Sequence, residues 1–168
     1  QRQRQKARIA ATAERLVQKG QAVALDTGTT TYELAVSLAA RTDIKVFTNN
    51  LRIGQLLGSH LVEIYMLGGR VRPHEMSLCG PVAVQQAKRL RFDTAFIGAA
   101  ALSADGAYDF SIDETEIKRI FMEQATHKVL LCDSSKFDQV SLVQVARLEE
   151  FDTLITDASP PPELAAAL

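Results

Sequence analysis

The apolar residues of this chain fall into short, nearly unbroken runs, and longer segments with a different periodicity separate the runs. The runs are AVAL, IKVF, VEIYML, TAFI, KVLL and TLIT. Strands that are apolar on both faces are typical of a parallel sheet covered by helices. The runs predict strands at Ala22–Asp26, Ile44–Thr48, Val62–Leu67, Thr94–Ile97, Lys128–Cys132 and Thr153–Thr156, with a further strand near Leu142–Ala146.

Helical patterns occupy most of the segments between these runs. Apolar residues of Lys6–Lys19 recur at the spacing of one helical face. Further helices are predicted at Tyr32–Arg41, Leu51–Leu57, Pro81 to about Leu90 and Asp113–Thr126, and a last short helix is predicted after Pro160. The alternation predicts an α/β fold, with a mostly parallel, Rossmann-like sheet flanked by helices. Arg70–Leu78 and Ala99–Ile112 are expected to be long irregular loops, the second with a turn at Asp105-Gly106.

Length and composition are those of an ordinary globular domain. The chain has 168 residues, of which 46% are hydrophobic and 23% charged, so we expect one domain spanning residues 1–168. It lacks an initiator Met and opens within a helical pattern, which predicts that a longer protein contains it. No stretch approaches 18 apolar residues and no signal peptide is visible, so we expect a cytoplasmic protein.

Charge and cysteine content narrow the choice of partners. The net charge is −1, and the single basic cluster lies in the first eight residues. DNA-binding domains usually concentrate basic residues on one face, so this segment is not expected to bind DNA by itself. Cys79 and Cys132 lack metal-ligand spacing, which predicts reduced structural thiols and no metal site.

The segment DTGTTT, residues 26–31, lies between the first predicted strand and the next helix. Gly28 permits a tight turn, and Thr29, Thr30 and Thr31 place hydroxyls and amides at a helix N-terminus, which favours an anion. The segment is neither a Walker loop nor a dinucleotide fingerprint, and no cofactor is predicted. It predicts a phosphate-binding loop; alternatively, Thr29 or Thr30 only caps the helix.

Polar or glycine-rich residues also follow other predicted strands. TNN ends the second strand, GGR follows the third, and DSSK follows a later one. Open parallel sheets bind ligands at the carboxyl ends of their strands. Four such ends together predict a ligand site at this edge of the sheet.

Seven segments occur in an order that is more specific than any one of them. They are LDTGTTT, VFTNN, MLGGR, FDTAFIGAAAL, DGAYDFSIDETEIKR, LLCDSSKF and FDTLITD. Together, over roughly Arg8 to Ala158, they closely resemble the C-terminal sensor domain of DeoR-family transcriptional repressors. The resemblance implies the fold shared with ribose-5-phosphate isomerase, glucosamine-6-phosphate deaminase and CoA transferases. It also implies a phosphorylated sugar or polyol effector, and operator DNA bound only through a winged-helix domain before Gln1.

The resemblance assigns ligand contacts to several strand-end residues. DTGTTT is similar to the phosphate-binding loop of the sugar-phosphate isomerases, so Thr29–Thr31 would bind phosphate. Asn49, Asn50 and Gly69 would complete the pocket from neighbouring loops. Asp26 is expected to orient the threonine loop, because a carboxylate beside a phosphate would repel it.

Charged residues later in the chain match the family's pattern as well. Glu114 and Lys118 fit its E-x-x-x-K segment and share a helix face at i,i+4 spacing. The carboxylate would accept sugar hydroxyls and the ammonium would meet phosphate; alternatively, the two form an ordinary surface ion pair. Lys136 is the second candidate cation, or else a solvated loop lysine.

The segment after the fourth apolar run favours a sensor over an enzyme. Gly98–Leu102 carries no side chain that can transfer a proton, and the isomerases' glycine-rich lysine motif is missing. No catalytic residue is therefore predicted; the alternative is a sugar-phosphate isomerase or amino-sugar-phosphate deaminase with Glu114 as base. In the sensor mechanism the two irregular loops would pass the ligand signal to an interface between subunits.

Symmetric dimers commonly read DNA operators, so a homodimer or homotetramer is expected. Apolar side chains at Leu142, Val143 and Val145 and in the tail Pro160–Leu168 would form part of the interface between subunits. The alternative for them is an ordinary place in the core.

Overall fold

The computed structural model describes residues 2–168 and contains a six-stranded parallel sheet with helices on both faces. Its strands are β1 (Ala22–Leu25), β2 (Lys45–Thr48), β3 (Glu63–Met66), β6 (Phe92–Gly98), β9 (Ala125–Leu131) and β11 (Thr153–Ile155). They lie in the order β11–β9–β6–β1–β2–β3, and every pair of neighbours in the order is parallel. The predicted fold class is confirmed.

Six helices connect or flank these strands in residues 2–168. They are α1 (Arg2–Glu14), α2 (Thr29–Leu38), α3 (Leu51–Gly58), α4 (Pro81–Lys88), α5 (Ile112–Glu123) and α6 (Pro162–Ala167). α2 begins three residues earlier than predicted, so the three threonines form its first turn. Among the described residues, no helix combines the length and apolar character needed to cross a membrane.

The sheet separates two layers of apolar packing. Alternate residues of β6 point to opposite faces: Ala95 and Ile97 pack with α4 and α5, whereas Phe96 packs with α1, α2 and α3. Phe96 on one side and Phe121 on the other are fully buried. Because both faces are covered, the strands are apolar along their whole length, which is the pattern that made them recognisable in the sequence.

The two segments predicted to be irregular loops are β-hairpins, so that prediction was wrong. Residues 70–79 form β4 (Arg70–Arg72) and β5 (Ser77–Cys79), paired antiparallel. Residues 101–109 form β7 (Ala101–Ser103) and β8 (Gly106–Asp109), and β10 (Val143–Ala146) pairs with β8 to complete a three-stranded antiparallel sheet. These strands have only three or four residues, too few to show a period of two. The predicted turn at Asp105-Gly106 connects β7 to β8.

Candidate functional site

A cavity of about 190 Å³ lies at the carboxyl ends of β1 and β6. From β1 the chain passes outward to β2 and β3, whereas β6 lies on the opposite side of β1. Such a reversal of strand order leaves a crevice in open parallel sheets, and ligands bind there. The cavity is lined by Lys6, Thr27, Gly28, Thr29, Thr30, Thr31, Arg72, Glu75, Gly98, Ala99, Ala100, Asp109, Phe110, Glu114, Lys118, Leu131, Cys132, Asp133 and Lys136.

The N-terminus of α2 forms one wall of the cavity and has no side-chain cap. Its N-cap is Gly28, whose φ of 122° is rarely adopted by other residues. By contrast, Asn50 caps α3 and Ser111 caps α5. The alternative that Thr29 or Thr30 merely caps α2 is therefore wrong. The first amides of α2 remain available to an anion in the cavity.

The three threonine hydroxyls of this wall have different hydrogen-bonding states. Thr29 accepts a hydrogen bond of 2.5 Å from the Lys6 ammonium of α1. Thr31 donates to the Gly28 carbonyl at 2.9 Å. Among the described residues, Thr30 has no side-chain hydrogen-bond partner. Its hydroxyl is therefore the one most ready to bind a ligand.

Two lysines lie at the open side of the cavity. Lys136 ends a 3-10 turn, Ser134–Lys136, that follows β9, and Lys6 reaches in from α1. Within residues 2–168 neither ammonium forms an ion pair within 4.0 Å. Burial opposes ionisation of Asp133, but hydrogen bonds from Ser135 and the charges of Lys136 and Lys6 hold the pKa of that carboxyl below its usual value. We call the α2 N-terminus with Lys6 and Lys136 the rim.

Lys118 lies on the inner side of the cavity and is surrounded by acceptors. It pairs with Asp26 and, at 3.3 Å, with Asp109, and it donates to the Gly98 carbonyl at 3.0 Å. Burial alone would lower the pKa of Lys118, but the two carboxylates outweigh burial and raise it. The Lys118 side chain is only 2% exposed. Lys118 is not the solvated partner of a surface ion pair.

Asp26 has a different role from the expected one. It accepts hydrogen bonds from Lys118 and from the Gly98 amide, the latter at 3.0 Å, rather than from the threonine loop. Its Oδ1 is buried without a hydrogen-bond partner among the described residues. Burial, which outweighs the attraction of Lys118, raises the pKa of Asp26 to about 6.

Glu114 is also buried and fully engaged. Its Oε1 accepts from Arg72 at 2.8 Å, from Ser77 and from Cys79 at 3.4 Å, and its Oε2 accepts from Thr27 at 3.2 Å. Burial opposes its ionisation, but the bonds from Ser77 and Arg72 hold the pKa below its usual value. Glu114 fastens the β4–β5 hairpin to α5. We call Asp26, Asp109, Lys118, Glu114 and Arg72 the floor.

Three other residues expected at the site lie beside this cavity and do not line it. Asn49 is buried and donates to the Leu78 carbonyl at 3.0 Å. Asn50 caps α3, accepting from the Arg52 amide at 2.8 Å, and it lines an adjoining cavity between α2 and α3. Gly69 has a φ of 134°, and a Cβ there would lie 2.7 Å from the Cys79 carbonyl oxygen. Asn49 and Gly69 hold the β4–β5 hairpin against the sheet.

The structure adds residues to the site that sequence reasoning missed. In the sequence Lys6 belongs to the N-terminal basic cluster, and Arg72 belongs to a segment predicted to be a loop. Asp109 and Asp133 stand inside the quoted segments DGAYDFS and LLCDSSKF, so those segments were the available signal. Within residues 2–168, no group of three or more His, Cys, Asp or Glu is arranged to hold a metal ion.

Comparison with known proteins places the chain in a family. The model of the DeoR C-terminal sensor domain matches residues 1–158. The chain is 34% identical to a putative aga operon transcriptional repressor of Escherichia coli O157:H7, over 91% of the chain and 58% of that protein. It is 32% identical to the transcriptional repressor GlcR of Bacillus subtilis, over 93% of the chain and 60% of that protein. The chain thus spans about three fifths of the length of these relatives.

Solved structures share the fold at low identity. The δ subunit of eIF2B from Chaetomium thermophilum matches with a TM-score of 0.65 at 12% identity, covering 92% of this chain and 56% of that one. Ribose 5-phosphate isomerase A from Methanocaldococcus jannaschii matches with a TM-score of 0.57 at 19% identity, covering 79% of this chain and 53% of that one. The more similar proteins are repressors and the isomerases are distant, which confirms the prediction of a sensor domain rather than an enzyme. The chain belongs to the DeoR C-terminal sensor domain family.

Proposed function

We propose that this chain is the effector-binding domain of a transcriptional repressor of sugar metabolism and that a phosphorylated sugar or polyol binds in the cavity. A relative that is 28% identical is the glycerol-3-phosphate regulon repressor of Escherichia coli K12. The regulated DNA would be bound by a separate winged-helix domain that precedes these residues. The whole of residues 1–168 would serve as one sensor domain in the cytoplasm.

The observation that carries the proposal is the composition of the rim. The uncapped N-terminus of α2, the Thr30 hydroxyl and the ammonium groups of Lys6 and Lys136 face one cavity. Helix amides and unpaired ammonium groups together suit a dianionic phosphate, since each donates a charge-assisted hydrogen bond. The other residues of the proposed binding site are Gly28, Thr29 and Thr31, which belong to the same loop. The floor forms the inner side of the cavity.

The floor would support the ligand rather than bind its phosphate. Lys118 is already paired with two carboxylates, and Glu114 already accepts four hydrogen bonds. Their function in this proposal is to fix the loop after β1, the end of β6 and the β4–β5 hairpin around the cavity.

A phosphate at the rim would tie the first helix to the rest of the domain. It would bridge the start of α2, Lys6 of α1 and Lys136 after β9. Because α1 carries the chain toward the proposed DNA-binding domain, this bridge offers a shorter allosteric route than the movable loops first expected. The ligand shifts the equilibrium only if it binds one position of α1 more tightly than another.

Association into a homodimer or homotetramer would give the repressor the symmetry of its operator. Of the side chains expected at the interface, Leu142 is 75% exposed, whereas Val145 is fully buried in the core. In the tail, Leu164 is buried and Leu168 is exposed. Leu142 and Leu168 thus remain available to a second copy, and Val145 and Leu164 do not.

A thermal-shift panel tests the proposed function. Free and phosphorylated sugars and polyols are added to the purified domain, and the melting temperature is recorded. A phosphorylated compound at a hundred times its dissociation constant should stabilise the fold by about 2.7 kcal/mol, while its free counterpart should not. Equal shifts for both forms would contradict the proposal.

A further inference from the structure

A second, larger cavity adjoins the first. Its volume is about 720 Å³, and it lies between the N-terminal parts of α2 and α3, with α1 at one side. The two cavities share three lining residues, Gly28, Thr29 and Glu75. They are therefore two parts of one cleft, divided by the first residues of α2 and by the tip of the β4–β5 hairpin.

The volumes of the two cavities indicate that a ligand held at the rim occupies both parts of the cleft. Pockets for small molecules usually have volumes of roughly 300–1,000 Å³. The first cavity, at about 190 Å³, is below that range, whereas the second, at about 720 Å³, is inside it. The first cavity suits a phosphate and its nearest atoms. The second cavity, which borders the first at Thr29, has room for the remainder of a larger ligand.

The two parts of the cleft differ in charge. The second cavity has one cationic side chain, Arg52, and two carboxylates, Glu33 and Glu75. Arg52 donates to the His74 carbonyl at 2.7 Å, so part of its hydrogen-bonding capacity is used within the fold. Glu75 is shared with the first cavity, so the side chains found only in the second are one carboxylate, Glu33, and one cation, Arg52, which leaves no surplus of positive charge for a second phosphate. Lys6 and Lys136, which form no ion pair within residues 2–168, line the first cavity and not the second.

The polar side chains of the second cavity suit hydroxyl groups. Glu33 accepts from Gln3 across the mouth of the cavity, and its carboxylate can accept further hydrogen bonds. Gln55 offers both a donor and an acceptor, and Tyr32 adds an aromatic ring with a hydroxyl. Such side chains can bind several hydroxyl groups of a neutral molecule.

We infer that the effector is a sugar monophosphate whose body is longer than three carbons, with its phosphate at the rim and its hydroxyl-bearing chain or ring in the second cavity. Glu33 and Gln55 hold those hydroxyls. The inference rests on the proposed function, because the phosphate end is the rim described above.

Calorimetry on the purified chain tests the inference with named probes. They are inorganic phosphate, glycerol 3-phosphate, fructose 1,6-bisphosphate, and the 6-phosphates of glucose, fructose, galactose and N-acetylgalactosamine. The tightest 6-phosphate should bind about tenfold more tightly than glycerol 3-phosphate or inorganic phosphate. The bisphosphate should bind no more tightly than that monophosphate.

Variants separate the two parts of the cleft. Glu33→Gln and Gln55→Ala should each weaken the tightest 6-phosphate by several-fold, up to about tenfold, and leave inorganic phosphate unchanged. Thr30→Val should weaken every phosphate compound. Glu116→Gln is the matched control, since Glu116 is exposed on α5 and lines neither cavity.

The outcomes distinguish the inference from the proposed function. If the 6-phosphates bind no more tightly than glycerol 3-phosphate, or if Glu33→Gln and Gln55→Ala leave their affinity unchanged, the second cavity is not part of the site, while phosphate sensing stands. If the bisphosphate binds most tightly, the monophosphate assignment is overturned. If no phosphate compound binds, both the proposed function and the inference are wrong.

Discussion

The floor and the rim border the same cavity and contain similar residue types, but their charges are satisfied in different ways. On the floor, Lys118 pairs with Asp26 and Asp109, and Glu114 pairs with Arg72. On the rim, Lys6 and Lys136 have no ion-pair partner within the described residues, and the N-terminus of α2 has no side-chain cap. From this difference we propose that the lysines of the rim, whose charge no ion pair neutralises, contact the ligand and that Lys118 does not. We expect mutations of the floor to affect folding and mutations of the rim to affect binding.

The largest expected effect is that of removing the buried cation of the floor. Lys118→Met leaves Asp26 and Asp109 buried without their ammonium, and breaking a buried pair in this way costs about 3–5 kcal/mol. Urea unfolding should show this loss in the free energy of unfolding. Lys136→Met is the control and should change it by less than about 0.5 kcal/mol. Equal stability of the two variants would contradict the division between floor and rim.

The next effect concerns the rim and appears in binding. Thr30→Val removes a hydroxyl donor, and Lys136→Met removes a charged one. Each should weaken a phosphorylated ligand by roughly 1–3 kcal/mol, measured by titration calorimetry, with little change in melting temperature. A variant that binds as tightly as the parent chain would exclude that side chain from the phosphate site.

A smaller effect should appear in the pH dependence of stability. The pKa of Asp26 is raised in the fold to about 6, above about 3.9 in an unfolded chain. Between these values the folded chain binds more protons, so the contribution of Asp26 to stability is greatest below pH 4 and is lost as pH rises through 6. The test compares the free energy of unfolding of the parent chain with that of Asp26→Asn. The difference, parent minus variant, should therefore fall from pH 4 to pH 6 and stay constant at higher pH. A difference that rises over this range would contradict a raised pKa of Asp26 in the fold.

The smallest expected effect is the absence of catalysis. Gly98–Leu102 offers no proton-transfer side chain, and all the acceptor contacts of Glu114 are within the fold. With ribose 5-phosphate and glucosamine 6-phosphate, we expect no turnover near the usual enzymatic range of about 1 s⁻¹ or above. Turnover that disappears in Glu114→Gln would mean that the floor is catalytic.

The sheet and the turn at Gly28 could be predicted from sequence because each depends on neighbouring residues. Long apolar runs indicated the buried strands, and Gly28 indicated a tight turn before α2, although the helix begins at Thr29 and not at Tyr32 as predicted. The hairpins could not be predicted, because three-residue strands show no periodicity. The partners of Glu114 escaped prediction for the same reason, since Arg72 and Ser77 lie on β4 and β5. Lys6 was missed because only the packing of α1 against α2 brings it to Thr29.

The most direct test of the rim as a phosphate site is a calorimetric comparison of sugars with their own phosphates. Glucose, fructose, galactose and N-acetylgalactosamine are each titrated beside their 6-phosphate under the same buffer and salt conditions. We expect at least one phosphorylated form to bind more tightly than its free sugar by about tenfold or more, and Lys136→Met to reduce this ratio. Equal affinity within every pair would contradict the claim that the rim is a phosphate site.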